Sequence, residues 1–279
     1  MKTISNSMIT SAIYSLTLEA NYHLPQTFLG RLRQASQQEQ SPLGQSILTQ
    51  ILENADIASE NNEPLCQDTG VVVVFVELGY DVHIQGDLYA AIDAGVRHAY
   101  QDGYLRKSIV AHPLNRINTG DNTPAIVHVR LVPGNQMKLT LAPKGGGSEN
   151  MSLVKMLVPS EGKEGILRLI LKTIQDAGGK PCPPLIVGVG LGGNLEQSAL
   201  LAKQALLRDI DDSQPDPLLA TLEKEWLIAI NNLGVGPMGL GGTTTALAVK
   251  INAAPCHIAS LPVAINLQCH AARHASIIL

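Results

Sequence analysis

The chain has 279 residues, 45% of them hydrophobic and 16% charged, with a formal net charge of -4 and 3% aromatic residues. That is enough apolar material for a large core, and there is no basic stripe or stacking surface of the kind that binds nucleic acid. The longest fully apolar run, Val71 to Val76, is far shorter than the roughly 20 residues that cross a bilayer, so no membrane partner is expected.

At the N-terminus Ser, Thr and Asn interrupt the apolar positions, so no signal-peptide core is visible, and Ile9, Ile13 and Leu16 suit one face of a helix. Four cysteines without an export signal point to a reducing cytoplasm. Residues 1–62 read as helical. Ser41 is a suitable N-cap with Pro42 at the first helical position, followed by Leu43, Ile47 and Ile51 at helical spacing.

The polar tetrad Cys66-Gln67-Asp68-Thr69 follows, then Gly70 and the buried strand that begins at Val71. Leu88, Ile92, Val96 and Ala99 predict a helix closed by Gly103, and the polar stretch after it, with Arg106, His112 and Arg116, is long enough to be a functional loop. Two alternating segments, Val127/Val129/Leu131 and Met137/Leu139/Leu141, flank Pro133-Gly134-Asn135 and predict a hairpin. The tract KGGGSEN leads into an expected helix with Ser148 near its start. Further helices are expected in EGILRLILKTIQDAGG, NLEQSALLAKQALLRD and PLLATLEKEWLIAINNLG, with a strand and glycine turn in PCPPLIVGVGLGG. Leu247/Val249/Ile251 and Val263/Ile265/Leu267 read as paired strands. The fold class is mixed α+β, as one catalytic domain over residues 1–279 with a helical part, 1–62, and an α/β part, 63–279, that contains the hairpins and the glycine-rich loop.

Gly188, Gly190 and Gly193 fit the dinucleotide fingerprint G-x-G-x-x-G, but the second strand with an acidic end is missing, and a plain strand-to-helix turn is favoured over nicotinamide binding. KGGGSEN is not a P-loop. Its Gly145, Gly146 and Gly147 let backbone N–H groups approach an anion or inorganic group, with Lys144 adding charge, or they are a flexible hairpin exit. The cysteines, Cys66, Cys182, Cys256 and Cys269, form no C-x-x-C pair, which disfavours a structural zinc site. Three cysteines from distant segments could hold three irons of a four-iron cluster. Their contexts favour Cys66, Cys182 and Cys269, with Cys256 as a packing thiol, although spacing does not decide among the four. His257 and His270 could orient a carboxylate or carry a proton, or be ordinary structural histidines.

Taken together, CQDTG, KGGGSEN, PCPPLIVGVGLGGN, GLGGTTTALAVKI and PCHIASLPVAINLQCHAARH resemble the α subunit, or α region, of the iron-sulfur hydro-lyases that comprise class I fumarate hydratases and L(+)-tartrate dehydratases. The resemblance spans nearly the whole chain. It implies a [4Fe-4S] cluster held by Cys66, Cys182 and Cys269, with Gln67, Asp68, Arg106 and the loop around Gly147 near substrate or cluster. It also implies a separate β subunit that completes the site for a small dicarboxylate, in a dimer of αβ pairs. KGGGSEN looks like the fumarase branch, so fumarate and (S)-malate are the expected pair, with L(+)-tartrate as the alternative. Asp68 is then placed to exchange a proton with the departing hydroxide; its other reading is a turn cap on the backbone of Gly70. A non-catalytic iron-sulfur scaffold or sensing subunit is the rival of another class.

Overall fold

The computed structural model describes residues 2–279, and its architecture is the expected mixture of helices and open sheets. In chain order the elements are β1 (Lys2–Ser5), α1 (Asn6–Tyr22), α2 (Gln26–Gln38), α3 (Pro42–Asn61), β2 (Val71–Gly79), β3 (Val82–Gln85) and α4 (Leu88–Asp102). They continue with β4 (Ile126–Val132), β5 (Met137–Lys144), the single turn α5 (Gly146–Glu149), β6 (Leu153–Leu157), α6 (Gly162–Ala177), β7 (Leu185–Gly193), α7 (Leu195–Ala205) and α8 (Pro217–Asn231). The last three strands are β8 (Ala246–Cys256), β9 (Leu261–Gln268) and β10 (Ala275–Ile278). No described helix is long and apolar enough to cross a membrane.

The chain forms two compact units. The first comprises Met1–Pro25, Asn54–Gly146 and Arg273–Leu279, the second Gln26–Glu53 and Gly147–Ala272. The helices of the first sixty residues are therefore divided between them, and β1 precedes those helices.

In the first unit β10-β5-β2-β4 form one sheet, and β1 pairs in parallel with β3. Ile9, Ile13 and Leu16 of α1 and Ile92, Val96 and Tyr100 of α4 pack on Val72, Val74 and Val76 of β2 and on Met137, Leu139 and Leu141 of β5. The helices cross closely: a Cβ at Gly95 would lie 2.7 Å from both the Cβ of Ile13 and the carbonyl oxygen of Thr10. Asp87 caps α4 through the N–H groups of Tyr89 and Ala90, and Gly103 ends it.

Segments 126–132 and 137–144 do not form the expected hairpin. β2 lies between them, parallel to β4 and antiparallel to β5. Alternation reports which face of a strand is buried but not which strands are neighbours, and β2, buried from Val72 to Val76, needs hydrogen bonds on both edges. The Pro133-Gly134-Asn135 turn passes the end of β2 and accepts the N–H of Asp81 at the Gly134 carbonyl, 3.0 Å. On the outer strand β4, Val129 and Leu131 are exposed.

The second unit repeats this plan in the order β6-β9-β7-β8. Its central strand β7 is parallel to β8 and antiparallel to β9, so the two alternating C-terminal segments are again separated by an earlier strand. Helices α6 and α8 cover one face through Ile170, Ile174, Trp226 and Ile230, and α7 packs against β7. The glycines of GVGLGG lie within β7, where added Cβ atoms at Gly188 and Gly190 would sit 2.3 and 2.0 Å from the carbonyl oxygens of Ala202 and Ser198 in α7. They make room for a helix. The helix expected after KGGGSEN is only α5, because the apolar residues that follow enter the edge strand β6.

Two charged groups stiffen the second unit. The carboxylate of Glu39, 2% exposed, accepts the N–H groups of Ser41, Thr243 and Thr244 and the Thr243 hydroxyl at 2.8 to 3.0 Å. Burial alone would raise its pKa, but these donors lower it to about 2. Arg208, Asp212, Glu223 and Lys250 form a half-buried ion-pair network beside β8.

Candidate functional site

In the first unit the Cys66–Gly70 turn is fixed from both ends. Leu65 is buried; its N–H donates to the Asn21 carbonyl, and its own carbonyl accepts the Asn54 side-chain amide, each at 2.9 Å. The next three carbonyls with side-chain partners are consecutive. The Asp68 oxygen accepts the Arg273 Nη2 at 2.8 Å, the Thr69 oxygen accepts the Tyr100 hydroxyl at 2.7 Å, and the Gly70 oxygen accepts both that hydroxyl and the Asn122 amide at 3.1 Å. Gly70 has φ +74°, and a Cβ there would come within 2.6 Å of the Lys144 backbone. Glycine is needed for both reasons.

With the carbonyls drawn inward, the polar side chains turn the other way. Cys66 and Asp68 are partly buried and Gln67 is exposed, and the Asp68 N–H points at Cys66 Sγ, 3.4 Å. Asp68 Oδ1 accepts the Gly70 N–H at 3.1 Å, the cap geometry anticipated as the alternative, while Oδ2 accepts the Gly146 N–H at 2.8 Å. Both oxygens keep further lone pairs. Gly145 lies against the carboxylate; a Cβ there would be 3.0 Å from Oδ2. Lys144 is buried at the end of β5, opposite Val71. Arg106 has its side chain exposed and its carbonyl bound by the Thr69 hydroxyl at 2.7 Å. Burial raises the Tyr100 phenol well above its usual range, against smaller lowering effects from its bond to Thr69 and from Arg273, so it remains a neutral donor.

In the second unit Cys182 has φ +55° in the turn before β7, and its carbonyl lies 3.2 Å from the His270 N–H and 3.1 Å from the His270 Nδ1. An acceptor-only oxygen there assigns the ring proton to Nδ1. Cys269 immediately follows β9, beside Gln268, whose amide donates to the Ala271 carbonyl at 2.9 Å. Gly147 belongs here too, with a hypothetical Cβ 3.2 Å from the Lys180 carbonyl. Thus Gly147, Cys182, Cys269 and His270 cluster at one end of the sheet. His257 does not join them. Cys256 pairs in register with Gly193, whereas Gln268 pairs with Ile186, so His257 lies at the far end of β7, about 25 Å away along the strand. It is exposed in the β8–β9 turn, its Nδ1 accepting the Ala259 N–H.

All four cysteines are free thiols; Cys66, Cys182 and Cys269 are half-buried and Cys256 is exposed. Cys66 belongs to the first unit and the other two candidate ligands to the second. Among the described residues no three His, Cys, Asp or Glu side chains are grouped as a metal site. The donor set of three partly accessible thiols, none of them in a disulfide, suits iron-sulfur ligation, and the exposed position of Cys256 at the far end of β8 sets it apart.

A family profile described as Fumarate hydratase (Fumerase) matches residues 10–278. The chain belongs to this family. Its members are hydro-lyases, and three relatives carry a more specific name. A Methanocaldococcus jannaschii protein named provisionally as an L(+)-tartrate dehydratase subunit alpha is 44% identical over 96% of both chains. The L(+)-tartrate dehydratase subunit alpha of Escherichia coli O157:H7 and that of E. coli strain K12 are each 30% identical over 97% of this chain and 90% of their own. All three names give tartrate, whereas KGGGSEN was read as the fumarase branch. Tyr100, Asn122 and Arg273, which hold the turn, were not apparent as site residues. Arg273 lies inside CHAARH, four positions after Cys269, which was its one signal.

Proposed function

We propose that this chain is the α subunit of a hydro-lyase that dehydrates L(+)-tartrate and works with a β subunit. The observation that carries this reading is near-full-length similarity to proteins named as that subunit. Reversible hydration of fumarate to (S)-malate is the second reading, supported by the family description over residues 10–278.

Dehydration removes a weakly acidic C–H proton beside a carboxylate and expels hydroxide, a poor leaving group. Cys66, Cys182 and Cys269 would hold a [4Fe-4S] cluster, which when bound supplies a Lewis-acidic iron. The chain's own residues do the rest. Asp68, oriented by the N–H groups of Gly70 and Gly146, exchanges a proton through a carboxylate lone pair with the oxygen that leaves or attacks. Gln67, exposed beside it, hydrogen-bonds the substrate, and Arg106 pairs with a substrate carboxylate as charge accumulates there. Lys144, His270 and Gly145–Gly147 shape the surroundings of substrate or cluster. His257 would act only where the far end of β7 is brought to a site. A dimer of αβ pairs in the cytoplasm, with thiols kept reduced, completes the reading.

The test is anaerobic co-purification with a β subunit, followed by assays on L(+)-tartrate, (S)-malate and fumarate and by spectra of the cluster with each. Turnover of tartrate supports the first reading and of fumarate the second. A cluster whose spectrum ignores every dicarboxylate, without turnover, would leave the chain as a scaffold.

A further inference from the structure

Arg273 is 3% exposed, yet no carboxylate pairs with its guanidinium among the described residues. Its partners are two neutral oxygens, the main-chain carbonyl of Asp68 at 2.8 Å and Asn21 Oδ1 at 3.2 Å, and its Nε–H is buried without a partner. Burying a cation on such terms costs several kcal/mol, more than tying down a turn requires, because a neutral amide could donate to both oxygens. Position gives the charge a purpose. A Cβ at Gly145 would lie 3.0 Å from Asp68 Oδ2 and 3.8 Å from Arg273 Nη2, so the guanidinium lies near the carboxylate and bonds that residue's backbone.

We propose that Arg273 is a positioning residue of the hydro-lyase site: through the Asp68 carbonyl, and braced by Asn21, it fixes where the Cys66 thiol and the Asp68 carboxylate stand. This rests on the functional reading above. Tyr100 and Asn122 hold the carbonyls of Thr69 and Gly70, downstream of the chemistry, whereas Arg273 alone holds the carbonyl of the proton-transferring residue itself. Its hydrogen bonds go to the Asp68 carbonyl and to Asn21, so its loss acts on the chemical step through misplacement, and an error near 1 Å costs about a hundredfold in rate.

The test compares wild-type αβ enzyme with Arg273→Lys and Arg273→Met, each scored per cluster-loaded protein, with the three-iron electron paramagnetic resonance signal after mild oxidation as a second readout. Lysine keeps the charge but cannot span both oxygens. The expected result is a kcat about tenfold lower for Arg273→Lys and about a hundredfold lower for Arg273→Met, with KM within about threefold of wild type and a shifted three-iron signal. Wild-type kcat per loaded site in Arg273→Lys, with an unshifted signal, overturns the proposal even if Arg273→Met fails to fold. A wild type that forms a cluster but acts on no dicarboxylate refutes the functional reading alone, and an unshifted signal in both variants would then overturn this one. A wild type that forms no cluster overturns both.

Discussion

Asp68 and Gly146 are joined by a 2.8 Å hydrogen bond from the glycine N–H to Oδ2, while Oδ1 takes the N–H of Gly70. An asparagine has one acceptor oxygen, so Asp68→Asn turns an NH2 group toward one of those two donors. The variant should keep its cluster, lose most turnover and lose about 1–2 kcal/mol of stability. Turnover beside the three-iron signal checks this; an active Asn variant with an intact cluster would remove Asp68 from the chemistry.

The placement of the thiols separates them in a serine series. Cys66→Ser, Cys182→Ser and Cys269→Ser should each abolish the three-iron signal, and Cys256→Ser, changed at the exposed end of β8, should retain it. Loss of the signal from the Cys256 variant alone would reverse the assignment of ligands.

Glu39 makes stability depend on pH. Its folded pKa, about 2, lies below the ordinary 4.5, so its contribution is fully present above about pH 4.5 and is lost as pH falls toward 2. That contribution is on the order of 3 kcal/mol. Denaturant titrations of wild type and Glu39→Gln should show a gap that is widest at neutral pH and closes through the acid range. A gap independent of pH would mean that the carboxylate's charge contributes nothing.

Gly190→Ala places a methyl 2.0 Å from the Ser198 carbonyl and should lower stability by about 3 kcal/mol. Gly30→Ala, in α2 with nothing within 4 Å, should instead raise it by about 0.5–1 kcal/mol. Thermal melts decide both. If Gly190→Ala melted like wild type but lost binding to a nicotinamide dinucleotide, the fingerprint reading would return.

Local order was legible where one element carries its own signal. The stripe of α4, with its Gly103 stop, and the Ser41–Pro42 start of α3 are visible in a dozen residues, and both are observed; Leu43, counted on the buried side of α3, is exposed. Strand partners were not legible, because Val127 and Met137 alternate as they would in a hairpin whether or not β2 lies between them. The supports of the site were hidden by separation. Tyr100, Asn122 and Arg273 reach the turn across 31, 52 and 205 residues, and each resembles an ordinary helix, loop or terminal residue where it stands. Cys66 and Asp68 stand two residues apart in the sequence, whereas the donors beneath them come together only on folding.

The strand order also sets a timetable for the growing chain. The first unit starts with β1 and α1 but closes only when Arg273 reaches Asp68 and β10 pairs with β5, whereas the second unit is complete at Ala272. On the ribosome the earliest residues are thus among the last to finish folding, with the apolar β5 edge open in the interval to chaperones or to aggregation. A nonsense codon just after Ala272 would leave the second unit whole while removing Arg273 from the Asp68 carbonyl.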